Sequence, residues 1–316
     1  MRRTVRRRAL AAAVAVAWMA SGASAAAARD VKRCGITIAA GSTGALVRHV
    51  ECGWRCVANP TRRCRSDGDA HECPVAGDSC APDGIVLERD ATLDLNGFSL
   101  RGVPGRDLIR CSDARAGRCI VEGPGALVAV GGRAMVGGHQ TVVLRDLTVF
   151  GADASIETTR RVRMTGVELS ACGGTPGLTG GVFGMRGVRA TDVYVDSGCY
   201  VRSGADLHVE GGRSGRQYIA PFPGPSFIAA GDVHASGVLV RDGGFGGRNV
   251  FLKAVRRMGR PTSASLPDAV ARNRLVLRDS TMGVVESGRA PRLVNSTCVA
   301  SRNAASGAGW GVCDPE

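Results

Sequence analysis

Aromatic residues make up only 4% of this 316-residue chain. With so few large rings, a core must be filled by Val, Leu, Ile, Ala and Met. Lysine is nearly missing: Lys32 and Lys253 are the only two, so almost every positive charge is a guanidinium. Beyond residues 1–25 there is no apolar run long enough to span a bilayer, and no apolar stripe at helical period. Helix-turn-helix, zinc-finger and RNA-binding signatures are missing as well, so nucleic acid is not an expected partner despite the formal net charge of +13. The glycine pairs Gly131-Gly132 and Gly243-Gly244 lack the strand-loop-helix setting of a phosphate loop.

The first segment explains part of the charge. Arg2, Arg3, Arg6, Arg7 and Arg8 precede a short apolar run, Ala9 to Ala20, and Ala23-Ser24-Ala25 offers a cleavage site. This is the pattern of an export signal over 1–25. Its removal lowers the basic residues from 41 to 36 against 28 acids, a net charge of about +8. The expected location is secreted, periplasmic or at the cell surface. The remaining positive charge favours polyanions, and an exported protein is more apt to meet acidic polysaccharide than nucleic acid.

What the sequence does contain is a repeat. Thr92 to Gly102 reads TLDLNGFSLRG, with apolar residues four and two before Gly97 and one and three after it. Asn-Gly alone suggests a type I′ hairpin. The same spacing recurs around Asp146, Gly166, Asp192 and Gly237, and with three of four positions around Asp279. Arg-Asp and Thr-Asp are poor hairpin turns, so a recurring corner explains the series better. Weaker centres at Gly123, Gly211, Ala254 and Asn295 bring the mean step to 22 residues, a solenoid period. Each repeat cannot bury its apolar face alone and must stack on its neighbours. The expectation is an all-β chain forming a single parallel β-helix of about ten coils; a β-sandwich is the rival.

TLDLNGFSLRG, preceded by DGIVLERDA, resembles the opening coils of secreted right-handed parallel β-helix proteins of the pectate-lyase-like superfamily. CGITIAAGSTGALVRHVEC, Cys34 to Cys52, is similar to the lead-in of bacterial members. The resemblance implies right-handed winding. For activity it implies a range, from lyases and hydrolases to proteins without catalysis. The expected organisation is an export signal at 1–25, a cysteine-rich lead-in and cap at 26–84, the β-helix at 85–300, and a tail at 301–316.

Twelve cysteines in an exported chain imply disulfides. Cys34, Cys52, Cys56, Cys64, Cys73 and Cys80 surround a polar insertion, and their pairing is left open among 15 arrangements. Cys111 with Cys119 would close a polar loop. Cys172 and Cys199 fall at near-equivalent places on successive repeats, and Cys298 with Cys313 would pin the tail. Proline-rich Arg213 to Phe227 and irregular Arg256 to Arg274 are expected to project as loops.

The register also predicts what faces outward. Three residues before successive centres stand Arg163, Arg189, His208 and His234. Stacked on parallel strands they would form a cationic column suited to carboxylates or sulfates. Two and four residues after the centres come Glu168, Tyr194 and Asp196, expected beside that column. The reading is a non-catalytic, exported protein with a groove for acidic polysaccharide. One alternative is a lyase acting on uronate-containing glycans by β-elimination, in which Arg189 or His234 removes a proton and Tyr194 protonates the leaving oxygen. Another is a structural envelope protein. The motifs the superfamily's enzymes carry, Asn-Thr-Asp, paired aspartates, Arg-x-Lys and Arg-x-Pro-x-x-Arg, are missing. No metal site is expected for a binder; a lyase would use calcium, for which Asp192 and Asp196 are the candidates.

Overall fold

The computed structural model describes residues 28–56, 58, 62–67, 70–74, 80–82, 84–102, 108–113, 116–128, 136–151, 155–170, 173–175, 178–179, 181–195, 199–214, 227–240 and 269–313. All regular structure among them is β-strand. The export segment, Asp196, Cys172 and Ala254 lie outside the described residues.

Eleven short strands stack in chain order into one parallel sheet. It begins with Arg29–Val31, Thr43–Leu46 and Thr92–Asp94, and continues through Val162–Thr165, Val188–Thr191, Leu207–Glu210 and Val233–Ser236 to Leu275–Arg278 and Arg292–Val294. Between visits to this sheet, the chain passes through a second, nineteen-stranded sheet, whose strands again pair in parallel. Most rounds cross that sheet twice, as Glu168–Ser170 and then Gly181–Gly184 do. In the last two rounds, the seven-residue strands Thr281–Ser287 and Thr297–Asn303 each run through both crossings without a break.

The inside of the stack is apolar because alternate side chains point the same way. Leu93, Val121, Leu144, Met164, Ala190, Val209, Ala235 and Leu277 pair directly, strand on strand, and none is more than 2% exposed. They belong to one continuous core running from Val31 to Cys298. The repeat centres are corners in backbone terms. Asp146, Gly166, Asp192, Gly211, Gly237, Asp279 and Asn295 all have φ between 46° and 63°. Asp, Asn and Gly tolerate this left-handed conformation best, which explains the residue types at the centres. Where an aspartate occupies one corner, the next is often glycine for a packing reason. A Cβ at Gly166 would lie 2.3 Å from Asp146 Oδ1, and one at Gly211 would lie 2.4 Å from Asp192 Oδ1.

The first corner departs from the pattern. Leu95 to Phe98 is a tight turn with positive φ at Asn96 and Gly97, closed by Phe98 N–H donating to Leu95 O at 2.8 Å. Asn-Gly therefore makes the turn its sequence favours, but the turn joins strands of different sheets instead of a hairpin. Four residues lie in this corner where Asp146-Leu147 suffices later, so Leu93, not Leu95, stands in line with Leu144. The repeat centre expected at Ala254 falls outside the described residues. Val233–Ser236 pairs directly with Leu275–Arg278, leaving no strand of this sheet between them. Ala269–Ala271, expected within a loop, is a strand paired with Ile228-Ala229.

The cysteine-rich insertion holds two small antiparallel pairs, Trp54–Cys56 with Cys80–Pro82 and Arg65–Asp67 with Ala70–Glu72. Its disulfides are Cys34–Cys52, Cys56–Cys73 and Cys64–Cys80. Cys111–Cys119 and Cys298–Cys313 form as the spacing suggested, and Cys199 is disulfide-bonded. Such bonds fit an extracellular, oxidising location. The final strand crosses the expected boundary at residue 300, and the tail folds back on it, with Trp310 N donating to Ser301 O at 2.9 Å. No helix among the described residues is long and apolar enough to cross a membrane.

Candidate functional site

The outward face of the eleven-stranded sheet carries two ordered columns. The first runs Thr92, Ile120, Val143, Arg163, Arg189, His208, His234, Val276, Arg292. The second, two residues further along each strand, runs Asp94, Glu122, Arg145, Thr165, Thr191, Glu210, Ser236, Arg278, Val294. In-register parallel pairing produces both columns, since equivalent side chains on neighbouring strands fall one strand spacing apart.

A depression of about 260 Å³ opens on this face. Arg189, His208, His234 and Val276 line it from the first column; Glu210, Ser236 and Arg278 line it from the second. At its centre the His208 and His234 rings stack nearly parallel, with centroids 4.8 Å apart and an angle of 6°. That separation is the spacing of the strands themselves, so backbone register sets the stack.

The stack opposes double protonation. The His208 imidazole is held below its ordinary value of 6.5, first by partial loss of water around the ring and then by the neighbouring His234. Arg189 pushes in the same direction, while Asp206 opposes it. Asp206 and Asp232 stand two residues before the two histidines, but each spends an oxygen on backbone. Asp206 Oδ1 accepts from Asp232 N at 2.9 Å, and Asp232 Oδ1 accepts from Arg274 N at 3.2 Å. These carboxylates secure the chain entering each strand.

Among the described residues, Arg163, Arg189 and Arg278 meet no internal partner, and no carboxylate lies within ion-pair distance of any of them. Earlier on the same face, by contrast, Arg145 meets Glu122 at 3.4 Å and Arg118 meets Asp90 at 3.2 Å.

The structure therefore brings Arg163, Arg189, His208 and His234 into one column, with the last three lining the depression. It does not bring Glu168 and Tyr194 to them. Those two pair with each other in the nineteen-stranded sheet, beyond the left-handed corner, and neither lines the depression. Tyr194 is thus not placed to act as an acid opposite His234 or Arg189. Asp192 sits at a corner with its Oδ1 directed at Gly211, and no group of three His, Cys, Asp or Glu side chains among the described residues could hold a metal ion. Glu210, Ser236, Val276 and Arg278 were missed. Glu210, Ser236 and Arg278 stand one residue before Gly211, Gly237 and Asp279, so the same corners would have revealed a second outward column.

In chemical terms, the depression offers two guanidinium groups, two stacked imidazoles, a carboxylate and a hydroxyl. Among the described residues, His234 and Ser236 share no hydrogen bond. The arrangement is one of convergent donors and acceptors suited to a hydroxyl-rich anion. No family model, curated protein or solved structure matches this chain.

Proposed function

We propose that the chain is an exported, right-handed parallel β-helix of ten coils, of the pectate-lyase-like kind, and that it binds acidic polysaccharide along the outward face of its eleven-stranded sheet without cleaving it. The observation that carries this reading is the set of unpaired guanidinium groups bordering the depression, Arg189 on one side and Arg278 on the other. An exposed arginine is solvated well enough to stand alone, but several in a line raise the local potential and draw in a polyanion. Arginine meets a carboxylate or sulfate through two parallel N–H bonds, which suits it to an extended anionic chain better than a lysine column would be. Arg189 and Arg278 are three strand steps apart, roughly 14 Å, so one ligand lying along the stack reaches both.

Binding without catalysis is favoured by the contents of the depression. It holds no hydrogen-bonded acid–base pair among the described residues, and Tyr194 belongs to the other sheet. The test is titration of polyuronates into the full chain and into an Arg163→Ala/Arg189→Ala double variant, followed by calorimetry. Loss of each bidentate contact should weaken binding by about tenfold or more. Unchanged affinity in the double variant would remove the reading. In parallel, growth of unsaturated-product absorbance at alkaline pH with calcium would replace the binder with a lyase. Absence of binding across a glycan array would leave a structural envelope role.

A further inference from the structure

We infer that the glycan taken by this face is sparsely charged, a heteropolysaccharide whose acidic sugars are separated by several uncharged ones, and not a continuous polyuronate. This rests on the binding reading above and narrows its substrate class. The pattern of charge along the stack carries the inference. Arg163 and Arg189 occupy successive strands, then Glu210 appears on the next, Ser236 on the one after, and Arg278 and Arg292 on the last two. Positive charge is therefore confined to the two ends of the depression. Between them stand the stacked imidazoles, a hydroxyl and a carboxylate.

Glu210 is exposed and has no ion-pair partner among the described residues. An anionic sugar placed over its strand would meet a like charge without compensation. An uncharged sugar there meets a strong acceptor for its hydroxyl or amide hydrogens, with Ser236 able both to donate and to accept. The histidines fit the same occupant. Stacked face to face, they present ring edges outward, and a neutral imidazole has one nitrogen to donate and one to accept. A homopolymer of uronate would bring carboxylates to the guanidinium ends but also force them onto Glu210. A chain with charges several sugars apart satisfies both ends and leaves the centre neutral.

The experiment compares binding of the full chain to three probes, at equal uronate concentration and in two salt concentrations. The probes are polygalacturonate, charged at every sugar; hyaluronan, charged at alternate sugars; and deacylated gellan, in which one glucuronate is followed by neutral sugars. The expected order is gellan tightest and polygalacturonate weakest, by about tenfold, the weight of one partly screened like-charge contact. Glu210→Gln should raise affinity for polygalacturonate by about the same factor and weaken gellan severalfold, because the neutral sugar loses a charged acceptor. Glu210 is a surface residue, so the variant should melt like the parent. Equal or tighter binding of polygalacturonate by the parent, or no response to Glu210→Gln, overturns the inference while leaving the binding reading intact. Binding to none of the three probes overturns both.

Discussion

From Thr92 to Arg145, the outward columns of the eleven-stranded sheet hold buried apolar residues, an Arg145–Glu122 ion pair and one carboxylate, Asp94, that accepts from Asn96 N, and no cation without a carboxylate beside it among the described residues. Ile120 and Val143 are only 8% and 6% exposed, and Arg145 and Arg118 each have a carboxylate at hand. From Arg163 to Arg278, the same columns on the same backbone hold Arg163, Arg189 and Arg278 without carboxylate partners among the described residues, two stacked histidines, the buried Val276 and a depression. Strand pairing and inward packing hardly change between the halves. The contrast lies in the outward side chains, whose charges in the second half find no carboxylate partner among the described residues. A face that satisfies its own charges has nothing to offer a partner; a face that leaves guanidinium groups open does.

The most severe way to break this comparison is from the inside. Leu144→Ala removes a fully buried side chain from the first half and should cost about 2–5 kcal/mol, read by urea denaturation. If the core is one cooperative unit, the whole transition shifts. Two separate transitions would show that the halves unfold independently, as stacked repeats can. A smaller effect sharpens the outer contrast. Arg278→Ala should weaken acidic-glycan binding by about tenfold. Arg145→Ala, whose partner is Glu122, should leave affinity unchanged and cost under ~1 kcal/mol of stability. Equal losses of affinity from both variants would erase the distinction between the halves.

The smallest effect is that of pH. The folded chain holds His208 below its ordinary value of 6.5, so near and below that pH the unfolded chain binds more protons than the folded one. The stability tied to this histidine is present in full above 6.5 and is lost as the pH falls through the lowered folded value. An uncharged sugar held by the neutral imidazole works in the same direction. Between neutral pH and about pH 5, where uronates stay ionised, affinity should therefore fall by a few fold as the ligand-free chain melts earlier. Parallel calorimetric titrations and melting curves would check this. His208→Gln should flatten both trends, and a variant that keeps them would assign the effect elsewhere.

Much of the stack was legible because it rests on local rules. Alternation marks inward and outward residues, and the Asp, Asn and Gly corners announce backbone that other residues avoid. The Arg163–His234 column followed from those two signals. Two errors have physical causes. The four-residue corner at Asn96-Gly97 shifted the register by two, which preserves the parity of inward residues and so is invisible to alternation. Ala269–Ala271, assigned to a loop because Arg256 to Arg274 reads as irregular, pairs as a strand with Ile228-Ala229, a partner that local pattern does not reveal. The insertion's disulfides were not legible either, since pairing depends on which cysteines the antiparallel strands bring together.

Taken alone, the order of residues determined where the chain bends, which side chains line the interior, and that cations accumulate on one outward column. These depend on neighbours a few positions apart. Only the tertiary structure decided that Glu210, Ser236 and Arg278 join Arg189 and the histidines, and that Glu168 and Tyr194 do not. Parity tells whether a side chain faces in or out, but a left-handed corner carries the next strand into another sheet. Which outward residues meet is then set by strand-on-strand register between segments far apart in the chain.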